Sequence, residues 1–100
     1  MIARVEIYSE AEREIADVTV LLDAHDPVLG SDFLHVTRAA IEQINTFPFS
    51  APVIHATIRK KVLGRFPYII YYYVEGDVLF VMAVAHQKQA PLYWYGRGPG

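Results

Sequence analysis

The 100-residue chain contains no cysteine, which excludes disulfides and thiolate metal sites. It has no excess of positive charge. Nine basic residues against eleven acidic ones give a formal net charge of −2, so no bulk field holds nucleic acid non-specifically. No apolar run reaches the ~20 residues of a membrane-spanning helix, and the first residues form no apolar signal segment. Also missing are a glycine-rich phosphate loop, a dinucleotide fingerprint and a Ser-His-Asp signature. The histidines His25, His35, His55 and His86 stand singly, without metal-ligand spacing. Neither metal nor cofactor is therefore expected. The chain reads as one soluble cytoplasmic domain over residues 1–97, with a flexible tail at 98–100.

What the chain does have is apolar surface. Its apolar fraction is 53% and its mean hydropathy +0.20, both high for a domain this small. Residues 2–8 read as a short strand rich in β-branched and aromatic side chains. Ser9-Glu10-Ala11-Glu12 then has the pattern of a capping box. Glu10, Glu12 and Glu14 suit the positive end of the helix dipole. Ala11, Ile15, Val18 and Leu22 give that helix one apolar face as far as His25. Asp26-Pro27 starts a second helix as N-cap and first helical residue, with Ser31 as an alternative cap. Gly30 weakens this helix by about 1 kcal/mol relative to alanine. Phe33, Thr37, Ala40, Ile44 and Phe47 follow helical spacing, with Leu34 and Ile41 widening the stripe, and Pro48 closes it.

A loop is expected at residues 49–53, then strands at 56–63, 66–74 and 78–85, with a turn at Glu75-Gly76-Asp77. The fold class is α+β: a helical hairpin on one face of a small, mainly antiparallel four-stranded sheet, in the order β-α-α-β-β-β. In the middle strand Phe66, Tyr68, Ile70, Tyr72 and Val74 point one way, and Ile69, Tyr71 and Tyr73 the other. In the last strand Val78, Phe80, Met82 and Val84 oppose Leu79, Val81, Ala83 and Ala85. Both faces are apolar, yet the hairpin covers only one. A sheet with a solvated face should alternate with polar residues. The second face is therefore expected to meet the tail, another copy or another protein.

Arg65-Phe66-Pro67-Tyr68, Tyr71-Tyr72, an acidic-glycine turn, an apolar strand, and His86 followed by Pro91, Trp94 and Arg97 resemble the RelE/ParE superfamily of bacterial toxins. The element order, Asp26-Pro27 and Phe47-Pro48 fit the same pattern, and the resemblance covers nearly the whole chain. It implies the toxin of a type II toxin–antitoxin, or plasmid stabilisation, system, neutralised by a cognate antitoxin. The tail motif looks like the ParE branch, which inhibits growth by binding DNA gyrase. The alternatives it implies are a RelE-like endoribonuclease acting on mRNA at the ribosome, or a degenerate, inactive toxin. A homodimer in the absence of antitoxin also fits.

RNA cleavage by a 2′-hydroxyl needs a base, an acid and cations on the phosphate. For the nuclease the candidate residues are Arg59, Lys61, Arg65, His86 and Tyr93. The bland reading of Arg59, Lys60 and Lys61 is an edge strand protected by charge, and that of His86 is a strand-end hydrogen bond. Tyr71, Tyr73, Lys88, Trp94 and Arg97 are the candidate partner-binding residues, since tyrosine is enriched in interfaces and in cores alike. Trp94 is also expected to anchor the tail. The family's basic character is missing here, and Gln87 stands where its nucleases carry an arginine.

Overall fold

The computed structural model describes residues 1–89 and 92–97. Pro91, part of the tail motif, and the expected flexible tail at 98–100 lie outside them. The elements are β1 (Arg4–Ile7), α1 (Ser9–His25), α2 (Pro27–Thr46), β2 (Val53–His55), β3 (Ile58–Val62), β4 (Tyr68–Glu75) and β5 (Val78–His86). They form one sheet in the order β1-β5-β4-β3-β2. β1 runs parallel to β5, and the other pairings are antiparallel. The α+β class and the helical hairpin on one face are as the sequence predicts.

The sheet has five strands, not four. The expected loop and the first expected strand divide differently, because a tight turn at Ala56-Thr57 separates β2 from β3 and His55 pairs with Ile58. Ala56 has φ 51, a left-handed conformation that glycine usually supplies at the first central position of such a hairpin. With alanine there, the turn carries no sequence signal.

α1 starts one residue earlier than its capping pattern implies. Tyr8 is the N-cap, and its carbonyl accepts from the Glu12 amide at 2.9 Å. Ser9 therefore sits inside the first turn and donates to the Glu10 carboxylate at 3.2 Å instead of capping the helix. α2 starts as read: the Asp26 carboxylate accepts from the Val28 amide at 2.9 Å, with Pro27 at the first helical position. Gly30 is buried where a Cβ would lie 1.9 Å from the Asp23 carboxylate of α1, so the two helices meet closely there.

The helix-side core joins Ala11, Phe33, Ala40 and Ile44 to Phe66, Tyr68, Ile70, Tyr72, Leu79, Val81 and Val84. Phe33 sits edge-on to Phe66 and Tyr68, with ring centroids 5.5 and 5.4 Å away. Phe47, expected in the apolar stripe, is the C-cap residue and points to solvent. The Tyr72 hydroxyl donates to the Pro48 carbonyl at 2.8 Å and fixes the chain where it leaves α2.

β4 alternates as predicted, but β5 does not. Tyr71 pairs with Ala83 and Tyr72 with Val81, so Met82 is an extra residue. This bulge inverts the parity of everything before it. Leu79 and Val81 join Val84 on the helix side, while Phe80, Met82 and Ala83 share the reverse side.

The chain's own C-terminal segment covers the reverse face. Trp94, 1% exposed, inserts among Ile58, Tyr73, Met82 and Ala83. Its ring lies 5.2 Å from that of Tyr71, and His55 flanks Trp94 and Tyr95 at 6.5 and 5.5 Å. Of the three occupants considered for this face, the tail takes it, so an apolar reverse face is no argument for a partner.

We expect Ala56→Gly to stabilise the chain by up to about 1 kcal/mol by relieving the left-handed alanine. Urea unfolding of the two chains checks this, and a loss of stability would contradict the assigned turn.

Candidate functional site

β1 pairs with β5 only from Val78 to Val81, the last link being the Tyr8 amide to the Val81 carbonyl at 2.9 Å. Beyond that point the outer edge of β5 has no strand beside it, and the Met82 bulge falls there. An unpaired backbone group at a half-buried edge needs a partner. Glu14, from the second turn of α1, reaches this gap and accepts from the Val84 amide at 3.1 Å. Arg97 arrives from the reverse face and donates to the Met82 carbonyl at 3.1 Å. The two side chains also bind each other twice, at 2.9 and 3.0 Å. The Tyr93 hydroxyl donates to the same carboxylate at 2.7 Å, and the guanidinium lies 5.0 Å from the Tyr93 ring centre. Two side chains thus complete the sheet where β1 stops.

This network is partly shielded, with Arg97 and Glu14 side chains 18% and 23% exposed. Burial, and then the Glu14 carboxylate, push the Tyr93 phenol well above its ordinary value, and Arg97 offsets part of the rise. Glu14 in turn holds Arg97 firmly charged. Tyr93 therefore keeps its proton at neutral pH and gives its hydrogen bond to a carboxylate.

The other sequence-predicted residues scatter. The register of β3 on β4 puts Arg59 and Lys61 opposite the helix-side residues Tyr72 and Ile70, and Lys60 opposite Tyr71 on the reverse side. Arg59 braces the loop after α2, donating to the Phe49 and Ala51 carbonyls at 3.0 and 2.6 Å with its guanidinium 5.2 Å from the Phe49 ring. Arg65 pairs with Asp32 at 2.8 Å and lies 5.6 Å from the Phe66 ring. Asp32 stands near the start of α2 and Phe49 just past its end, about 20 Å apart at ~1.5 Å of rise per residue. These two arginines cannot share one phosphate.

His86 ends β5, edge-on to Tyr68 at 5.2 Å, and its Nδ1 accepts from the Lys88 amide at 3.0 Å. This is the strand-end role anticipated for it. His86 and Tyr93 do line one cleft, of about 210 Å³, but its acidic lining residues are Asp17 and Glu14, the latter paired with Arg97, and no lysine or arginine is among the described residues that line it. Lys61 lines a different groove of about 530 Å³ between α2 and β3, with Val36, Ala39, Phe47 and Val62.

Of the candidate partner-binding residues, Lys88 is exposed and Tyr71 half-buried, while Tyr73 and Trp94 are buried under the tail and Arg97 is committed to Glu14. The Tyr73 hydroxyl pairs with that of Tyr8 at 2.6 Å, and its ring stacks on Phe80 at 4.9 Å. Burial, then the Tyr8 bond, raise the Tyr73 pKa strongly.

Sequence reasoning missed Glu14, which looked like one more first-turn acid. Its signal was helical position: it lies three residues after Ala11 and four before Val18, on the flank of the apolar stripe.

No protein-family model matches the chain, and no curated protein matches it significantly. A solved structure does. It is a chain of the "Chromosomal ParDE TA system from P. aeruginosa", matched over 86% of this chain and 96% of that one, with a TM-score of 0.64 and 13% sequence identity. This chain shares the fold of that structure. At this identity the likeness is one of fold, and it agrees with the element order read from the sequence. Within this fold the Glu14 network closes the sheet, and of the candidate nuclease residues only His86 and Tyr93 share a cleft.

Glu14→Ala leaves the Val84 amide and a partly buried guanidinium without their acceptor, and should cost about 2–3 kcal/mol. Chemical denaturation measures it, and a neutral substitution would contradict the role assigned. The tyrosines add a pH dependence. Tyr73 and Tyr93 hold their protons more tightly folded than unfolded, so their contribution is intact below the free phenol value of about 10 and is lost as pH rises above it. Tyrosinate absorbance followed with circular dichroism should show part of the tyrosines ionising only as the chain unfolds.

Proposed function

We propose that the chain is the toxin of a type II toxin–antitoxin system, that it acts by binding rather than by cutting RNA, and that its target is DNA gyrase. The likeness to the ParDE chain supports the toxin class. The scatter of the would-be catalytic residues supports binding over cleavage. Arg59 and Arg65 are each bonded within the chain at opposite ends of α2, Tyr93 donates its hydrogen bond to Glu14, and the cleft holding His86 is lined by Asp17 and the Arg97-paired Glu14. A cation placed on a transition-state phosphate must be free to turn towards it, and these arginines would first have to break their present bonds.

The antitoxin's seat, on this reading, is the groove between α2 and β3. Its apolar wall, formed by Val36, Ala39, Phe47 and Val62, is open to solvent and flanked by Lys61 and Glu42, which suits an amphipathic helix or extended segment.

Inducing the protein without its partner should stop growth, with DNA double-strand breaks and intact mRNA. The same arrest should persist in Arg59→Ala, Lys61→Ala and Tyr93→Phe chains that remain folded. New mRNA 5′ ends that vanish in these variants would establish the nuclease instead, and an absence of arrest would leave an inactive member of the fold.

A further inference from the structure

Residues 92–97 cover the reverse face without being woven into the sheet. Among the described residues their backbone hydrogen bonds are local turns only, Tyr95 to Leu92 at 2.8 Å and Arg97 to Trp94 at 2.9 Å. Side chains hold the segment. Trp94 fills the apolar reverse-face cluster, the Glu14 carboxylate takes hydrogen bonds from Tyr93 and Arg97, and Arg97 also donates to the Met82 carbonyl.

Two features oppose this attachment. Leu92 sits at φ 61, a left-handed conformation costly for a side chain branched beyond Cβ. Among the described residues the buried Trp94 indole N–H has no hydrogen bond of acceptable geometry, although its proximity tempers the burial-driven rise of the Tyr71 phenol pKa. The cluster it fills is separate from the helix-side core: Ile58, Tyr73, Met82, Ala83 and Trp94 form one, and the α1 and α2 residues belong to the other.

We propose that residues 92–97 are a releasable strap, which lifts from the reverse face as one unit while the helix-side core stays folded. The closed form hides an aromatic surface of Tyr71, Tyr73 and Phe80 around Met82, and the open form presents it. The latch is charge-dependent, since a single carboxylate from α1 gathers the Tyr93 and Arg97 bonds. Local opening of this kind belongs to segments with few backbone bonds to the rest of the fold. The device is independent of which target the protein binds.

Trp94 is the only tryptophan, so its emission reports on the strap directly. In the full chain, Glu14→Gln should shift that emission to the red and increase acrylamide quenching several-fold, while far-ultraviolet circular dichroism stays that of the folded chain. A folded Glu14→Gln protein with Trp94 still shielded overturns the proposal. If that variant does not fold, native-state hydrogen exchange of the unaltered chain decides. The Trp94 indole and the Tyr95 and Arg97 amides should exchange through an opening that leaves the Ile70 and Val81 amides protected. Exchange of all of them only with global unfolding would make residues 92–97 an inseparable part of the core.

Discussion

Two adjacent strands with apolar side chains on both faces set the terms for this small protein. β4 and β5 are buried along almost their whole length, and burial of that much apolar area is the main favourable term a small domain has. It is available only if both faces are covered. The helical hairpin covers one. The other has nothing left but the end of the chain, and Trp94 with its neighbours takes that place. The same economy appears at the β5 edge. β1 is too short to pair with all of β5, so Glu14 and Arg97, from opposite faces, satisfy the backbone groups at the bulge. An ion pair here does more than attract: its hydrogen bonds replace ladder bonds that would otherwise be missing.

This economy bears on function. In a chain with no spare elements, polar residues near strand ends are drafted into closure. Tyr93 and Arg59 look like catalytic groups in sequence and Arg97 like a partner-binding one, and each is spent on holding a loop, an edge or the tail. Among the described residues the surface keeps an apolar groove beside α2, with Lys61 on its rim.

Much of this was legible in the residues. The helix stripes, the Asp26-Pro27 start and the strict alternation of Phe66, Tyr68, Ile70 and Tyr72 follow from local periodicity, though which face of β4 the hairpin covers did not. The failures have physical causes. The parity of β5 depends on a bulge that no residue near Met82 announces, because it is set by how β5 pairs with β4. The β2–β3 turn lacked glycine at Ala56, so an extra strand was hidden between the expected loop at 49–53 and the strand expected from residue 56. Ser9 satisfied a capping pattern one residue too late. Glu14 was read by its nearness to the helix start, whereas its job comes from a gap in the sheet that only the tertiary fold creates. Trp94 was legible as an anchor, since a lone tryptophan in an irregular tail rarely faces water.

The account rests on the C-terminal segment being the cover of the second sheet face. Nuclear Overhauser contacts in the full-length chain test that most directly. We predict strong contacts from the Trp94 indole ring to the Met82 and Ala83 methyl protons and to the Tyr73 ring. An indole with no contacts to these groups, alongside intact contacts between Phe33 and Tyr68, would show a sheet whose reverse face is bare and would contradict the account.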